Sequence, residues 1–226
     1  MNILEYLKVK PADLKSVPSF YYLGLKRAIE YFIFRQKITL NYKESDNSII
    51  KVKYDGILFN VRRSAFGSDI SHYLLQQEPN VRNWFNFQRG EVFVDVGAYI
   101  GAYTLRAAKR GCTVYSFEPN PYSFKILSMN VEANGFENVK LFNVALGNHE
   151  GEVFIALDFD TTKVSDRGYK VKMITLDSLK LRRVDWLKVD VEGFEEEVIM
   201  GAKSTLDVTD KVVIEVRKEN RGFVDK

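Results

Sequence analysis

Asp95, Gly97 and Gly101 lie in VDVGAYIGAYTL, residues 94 to 105, where an apolar run breaks at a carboxylate and two glycines before a helical pattern resumes. A sheet core needs no carboxylate there and glycine is a poor helix former, so folding alone does not explain the choice. Glycines at a strand end let the backbone pass close to a ligand, and the amides of the next helix N-terminus suit a carboxylate or phosphate. A dinucleotide site would need G-x-G-x-x-G. From Gly97 the spacing here is G-x-x-x-G, and Asp95, two positions earlier, would set its charge beside a pyrophosphate. A ligand with a positive centre suits Asp95 better.

Two further groups carry chemistry. Glu118 stands 21 residues beyond Gly97 in FEPNP, at the end of the next apolar run, where a carboxylate can accept both hydroxyls of a ribose. In LKVDVEGFEEEVIMGA, residues 187 to 202, Asp190 and Glu192 flank a third strand end. One such acid can take a proton from a hydroxyl while the other holds a substrate group; the plainer alternative has Glu192 and Gly193 start the next helix. His72 is a competing base, because an imidazole titrates near neutrality. No metal is expected: two carboxylates make a weak site, and Cys112 with two histidines leaves little for zinc.

The elements that must position these groups follow from periodicity. From residue 91 the chain alternates EVFVDV, a helix to Gly111, TVYSF, PYSFKILSMNVEAN, NVKLFNVAL, and later DWLKVDV, FEEEVIMGAKSTL and KVVIEV. This alternation predicts an α/β fold, a doubly wound parallel sheet with helices on both faces. EVFIAL and YKVKMIT read as an antiparallel pair around the polar loop at 158–168, where Asp158 to Asp166 would form a solvated lid or insertion. Upstream, SIIKVKYDGILFNVRR reads as a β-hairpin turning at Asp55-Gly56, and PSFYYLGLKRAIEYFIF, residues 18–34, as an N-terminal helix with a wide apolar face.

Composition sets the outer bounds. The 226 residues suit one domain plus an extension, and 46% hydrophobic with 28% charged residues is globular. The net charge of +3 is too small to argue for nucleic acid, and the basic excess lies in residues 1–60, with 10 basic against 6 acidic side chains. No signal peptide or run of about 18 apolar residues is present, so a cytoplasmic protein is expected. The apolar face of residues 18–34 would be covered by the main domain, by a second copy in a homodimer, or by a membrane surface in peripheral contact.

In order, VDVGAYIGAYTL, FEPNP, NVALGN, ITLDSL, LKVDVEGFEEEVIMGA and VVIEV resemble the FkbM family of class I S-adenosylmethionine-dependent methyltransferases. The resemblance spans about residues 50 to 217, and its DVEG block is the most specific part. It implies a Rossmann-like methyltransferase sheet over 48–226 behind a helical extension over 1–47, with S-adenosyl-L-methionine as cofactor. It also implies methylation of a hydroxyl on a sugar, glycan or secondary metabolite, with a small-molecule or glycan acceptor and no nucleic acid expected. The cofactor positions it implies are Asp95, Gly97, Ala98, Tyr99 and Gly101 in the loop, Glu118, Pro119 and Asn120 at the ribose, and Asn143, Val144 and Ala145 at the adenine. Asp190 and Glu192 match the acids beside the methyl group. The final antiparallel strand pair of such folds is not apparent before Lys226, and a non-catalytic or partner-dependent cofactor-binding module is the alternative reading.

Overall fold

The computed structural model describes residues 8–34, 48–66, 68–70, 84–157 and 162–216. Contacts divide the chain into two compact units, Met1–Phe85 and Asn86–Lys226.

In the first unit, β1 (Lys10–Pro11), β2 (Ile49–Tyr54) and β3 (Ile57–Arg62) form an antiparallel sheet with helix α1 (Ser16–Phe34). The predicted hairpin is β2–β3, and Asp55 and Gly56 both have positive φ (50° and 71°), as the tight two-residue turn requires. Helix α1 buries Phe20 and Leu23, with Phe20 edge-on to Phe66, and the Ser16 hydroxyl accepts from Lys51 N. One face of the N-terminal helix is therefore covered by its own unit. Tyr21, Tyr22 and Leu25 are exposed.

The second unit holds the predicted parallel sheet. Its strands are β4 (Val92–Val96), β5 (Thr113–Phe117), β6 (Val139–Phe142), β11 (Trp186–Val189) and β12 (Val212–Ile214), in the order β12-β11-β4-β5-β6. Helix α2 (Ala102–Lys109) follows β4 and helix α3 (Pro121–Ala133) follows β5. Asn120 caps α3, its Oδ1 accepting from Tyr122 N and Ser123 N, with Pro121 in the first turn. The chain enters at β4 and winds first towards β6, then returns to β11 and β12. Strand order thus reverses between β4 and β11, the position at which open sheets bind ligands beyond the carboxyl ends of their strands.

Three expectations are corrected. NVKLFNVAL is two strands: β6 ends at Phe142, and β7 (Ala145–Leu146) pairs with β10 (Tyr169–Ile174) in a second sheet. That sheet has the order β7-β10-β8-β9, and the antiparallel pair β8 (Gly151–Leu157) and β10 (Tyr169–Ile174) matches the prediction. Part of the expected polar loop is itself a strand, β9 (Thr162–Ser165), paired with β8. The long helix over 194–206 is broken into α4 (Glu195–Met200) and α5 (Lys203–Leu206). A Cβ at Gly201 would run into the Gly147 carbonyl oxygen, so the break sits at a position that only glycine fits. Among the described residues no helix is long and apolar enough to cross a membrane.

After the break, Ala202 offers α5 no side-chain cap, and a distant residue supplies one. Asp177, in the 3-10 turn Leu176–Leu179, accepts from Thr205 N and Thr205 Oγ1 through Oδ1, and from Ser204 N through Oδ2. Burial alone would raise the Asp177 carboxyl, but the hydrogen bonds from Ser204 and Thr205 together hold it below its ordinary 3.8. Its contribution is complete above that value and is lost as the pH falls through the lower folded value. Asp177→Ala should cost about 0.5–2 kcal/mol in urea denaturation at pH 7, with the gap from wild type closing on acidification; a gap that widens in acid would contradict the capping role.

Candidate functional site

The two faces of the central sheet differ in kind. Val94, Val96, Phe117, Leu187 and Val189 pack on one side with Val198 and Ala202 of the α4–α5 segment in an apolar core. Alternate residues face the other way: Lys188 pairs in register with Asp95, and Asp95 with Ser116. A polar row thus crosses three adjacent strands, close to their carboxyl ends.

Asp95 is only 1% exposed. The Thr104 hydroxyl, on α2, donates to Asp95 Oδ2 at 2.6 Å and lies 2.8 Å from Ser116 Oγ. A hydroxyl has one proton, so if Thr104 gives it to Asp95, Ser116 must donate to Thr104. Asp95 Oδ1 is buried and has no hydrogen-bond partner among the described residues. Burial pushes the Asp95 carboxyl above its ordinary value, and Asp190 adds to this; Lys188 and the Thr104 hydrogen bond act in the opposite direction. Asp95 was expected to answer a cationic ligand. The cation the fold places beside it is Lys188.

Lys188 is itself 5% exposed. Its ammonium donates to Asp190 Oδ2 at 2.8 Å and sits 5.1 Å from the centroid of the Tyr103 ring on α2. The Asp190 side chain is 28% exposed, so it spans from the buried row to the surface at the end of β11. Two residues on, Glu192 has φ 56° and Gly193 φ 106°, a left-handed turn before α4. The Gly193 amide is taken by Glu195 Oε1.

The glycine turn is built against this group. Gly97 has φ 79°, and a Cβ there would run into the Asp190 carbonyl oxygen, while Asp190 N donates to Val96 O at 3.0 Å. Gly101 has φ 97°, and a Cβ there would lie 2.6 Å from Leu127 Cδ1. Gly97 therefore makes room for protein backbone, and Gly101 holds a left-handed conformation that favours glycine. The first amides of the turn do not point to a ligand: Gly97 N and Ala98 N both donate to Phe117 O. Tyr99 holds φ 53°, a conformation that costs a non-glycine residue on the order of 1–3 kcal/mol. Its amide donates to Glu118 Oε2 at 2.8 Å, and Asn120 N donates to Oε1 at 2.9 Å.

Glu118 is thus gripped by two backbone amides, one to each carboxylate oxygen, and each oxygen has a second lone pair. Asn143 Nδ2 donates to Glu118 O at 2.8 Å and to Pro119 O at 3.2 Å. Val144 is half-buried beside the apolar core, whereas the Ala145 side chain belongs to the core of the second sheet with Ile155, Val171 and Met173. The structure therefore brings together Asp95 with Asp190 through Lys188, Tyr99 with Glu118, and Asn143 with Glu118 and Pro119. The Ala145 side chain packs in the core of the second sheet, and His72 lies outside the described residues.

Sequence reasoning passed over Lys188, Thr104 and Ser116. Lys188 had a signal: a lysine inside the apolar strand WLKV, two residues before Asp190, points to the same side of the strand as that acid. Thr104 and Ser116 had none, since either is ordinary in a helix or strand.

Residues 95–225, more than half of the chain, match the family model described as Methyltransferase FkbM domain. The hexuronic acid methyltransferase AglP of Haloferax volcanii is 30% identical over 139 residues, covering 57% of each chain. A tRNA (guanine(37)-N(1))-methyltransferase of Pediculus humanus subsp. corporis is 31% identical over 117 residues, covering 50% of this chain and 25% of that enzyme. A crystal structure of methyltransferase FkbM from Methylobacillus flagellatus KT superposes with TM-score 0.42 at 18% identity, over 57% of this chain and 33% of that one. This chain thus spans about a quarter and just over half of the two curated relatives.

The buried carboxylate at the centre of the row makes a prediction with a defined sign. Because the folded value of Asp95 is raised, its contribution to stability is complete below 3.8 and declines as the pH rises through the folded value. Asp95→Asn should gain stability relative to wild type between pH 4 and pH 8, followed by thermal or urea melts at fixed ionic strength. A relative loss over that interval would show the carboxylate to be better solvated folded than unfolded.

Proposed function

The chain belongs to the FkbM methyltransferase family, and on that premise we propose that it methylates a hydroxyl of a sugar or glycan from S-adenosyl-L-methionine, with Asp190 as the base. The observation that carries this reading is the Asp190 carboxylate, one oxygen held by Lys188, reaching the surface at the strand-order switch beside the glycine turn.

The residues fit the cofactor. Glu118 offers a carboxylate already oriented by Tyr99 N and Asn120 N, suited to paired ribose hydroxyls, and Asn143 braces the backbone on which it sits. The acidic ends of β4 and β11 suit a cationic centre. When bound, the cofactor supplies an activated methyl group on a sulfonium. The protein's own task is to hold the acceptor and remove its proton. Asp190 takes the hydroxyl proton, and a positioned base of this kind contributes typically about 10²–10⁴-fold. Glu192, in its left-handed turn two residues away, binds a neighbouring hydroxyl of the acceptor. The hexuronic acid methyltransferase relative supports a sugar acceptor.

A second reading has its own observation. The tRNA guanine N1-methyltransferase relative matches half of this chain, so the absence of a nucleic-acid partner, expected from the modest net charge, has no support from it. Ring-nitrogen methylation of a guanine needs a base as well, and the same Asp190 would serve.

Radiolabelled methyl transfer to a hexuronic-acid-bearing glycan and to a tRNA transcript separates the acceptors, with incorporation into the glycan expected. Calorimetry with S-adenosyl-L-methionine tests the cofactor; binding without transfer to any acceptor would favour the non-catalytic module. Asp190→Asn should lower kcat about 100-fold or more while leaving cofactor affinity within a few-fold. Equal losses of both would remove Asp190 from the role of base.

A further inference from the structure

Lys188 is costly where it stands. It occupies the middle of a strand with neighbours Leu187 and Val189 fully buried, and bringing an ammonium out of water costs several kcal/mol unless it is paired. A methionine of similar length would fill the space without that cost. Folding gives no reason for the charge, yet the surroundings are arranged around it. Asp95 faces it from β4, the Tyr103 ring lies beside it from α2, Asp190 accepts from it on its own strand, and the register partner on β12 is the uncharged Val213.

We propose that Lys188 is a positioning residue for methyl transfer: faced from the buried side by Asp95 and the Tyr103 ring, its ammonium fixes the Asp190 carboxylate and keeps it ionised at the mouth of the site. The inference rests on the reading of Asp190 as the base. Its physical content is that a charge sunk in the sheet acts on a reaction at the surface. The 2.8 Å hydrogen bond to Oδ2 sets the plane of the carboxylate. The positive charge favours the deprotonated form, the one able to accept a proton. Asp95 attracts the ammonium from the buried side without a hydrogen bond to it, so the buried acid works through Lys188 without touching substrate.

The test uses the full chain with Lys188→Met, and with Lys188→Arg to restore the charge. Titration of the ¹³C-labelled Asp190 carboxyl, assigned by its loss in Asp190→Asn, should show its midpoint rising by about one pH unit or more in Lys188→Met. The acid limb of kcat/KM should move upward with it, kcat at pH 6 should fall at least about tenfold, and cofactor affinity should stay within about threefold. Lys188→Arg should return the midpoint most of the way to wild type. Should Lys188→Met not fold, Lys188→Gln removes the charge and keeps a donor. An unmoved Asp190 midpoint, or a kcat loss with an unchanged pH profile, would overturn the inference and leave Lys188 a structural residue. Full turnover by Asp190→Asn would instead defeat the base assignment itself, a result distinguishable because the carboxyl titration needs no turnover.

Discussion

A buried ammonium between two carboxylates sets the terms for this domain. Lys188 lies in the parallel sheet with Asp95 beside it on the next strand and Asp190 two residues along its own. None of the three is there to strengthen the core, since apolar residues of the same volume would do that at lower cost. Their grouping coincides with the reversal of strand order, where β4 and β11 lie side by side and their loops diverge. The topology creates the opening and the charges line it.

Everything nearby accommodates that row. The buried part of the opposite face is apolar and carries the packing with α4 and α5, so the polar face can hold charges at no loss to the main core. Thr104 and Ser116 extend the row with hydroxyls that solvate Asp95 where water does not reach. Gly97 lacks a side chain because the backbone of Asp190 fills its place, which locks the two strand ends together. Two of the four described non-glycine residues with positive φ lie at the same end: Tyr99 and Glu192 both adopt the left-handed conformation in the loops that leave β4 and β11. Strain at these two turns, which contact or carry candidate site carboxylates, is what a preorganised site looks like in backbone terms.

Much of the fold was legible because periodicity reports burial. The alternation from residue 91, the Asp55-Gly56 hairpin and the Asn120-Pro121 helix start all appear where the pattern puts them. The departures come from tertiary contacts with no local signature. Nothing in GAKSTL announces that the helix breaks at Gly201, against the Gly147 carbonyl. Nothing in NVAL shows that the strand changes sheets at Asn143, and β9 is held by pairing with β8 against a polar composition. In the site, Asp190 and Glu118 stood out as acids at strand ends. The partner that gives Asp190 its setting was hidden because a lysine is the commonest of surface residues, and only the alternation of an otherwise apolar strand marks it as buried.

The charge row depends on Asp95 and Lys188 acting as one unit. A double-mutant cycle in folding stability, with Asp95→Asn, Lys188→Met and the pair measured by urea denaturation at pH 7, reads that directly. Lys188→Met leaves Asp95 without its nearby cation, whereas Asp95→Asn leaves Lys188 still paired with Asp190, so the double variant should be more stable than the sum of the single effects predicts, with a coupling on the order of 1–3 kcal/mol. Additive effects would mean that the two charges are solvated independently, and that the sheet holds no charge row for the site to depend on.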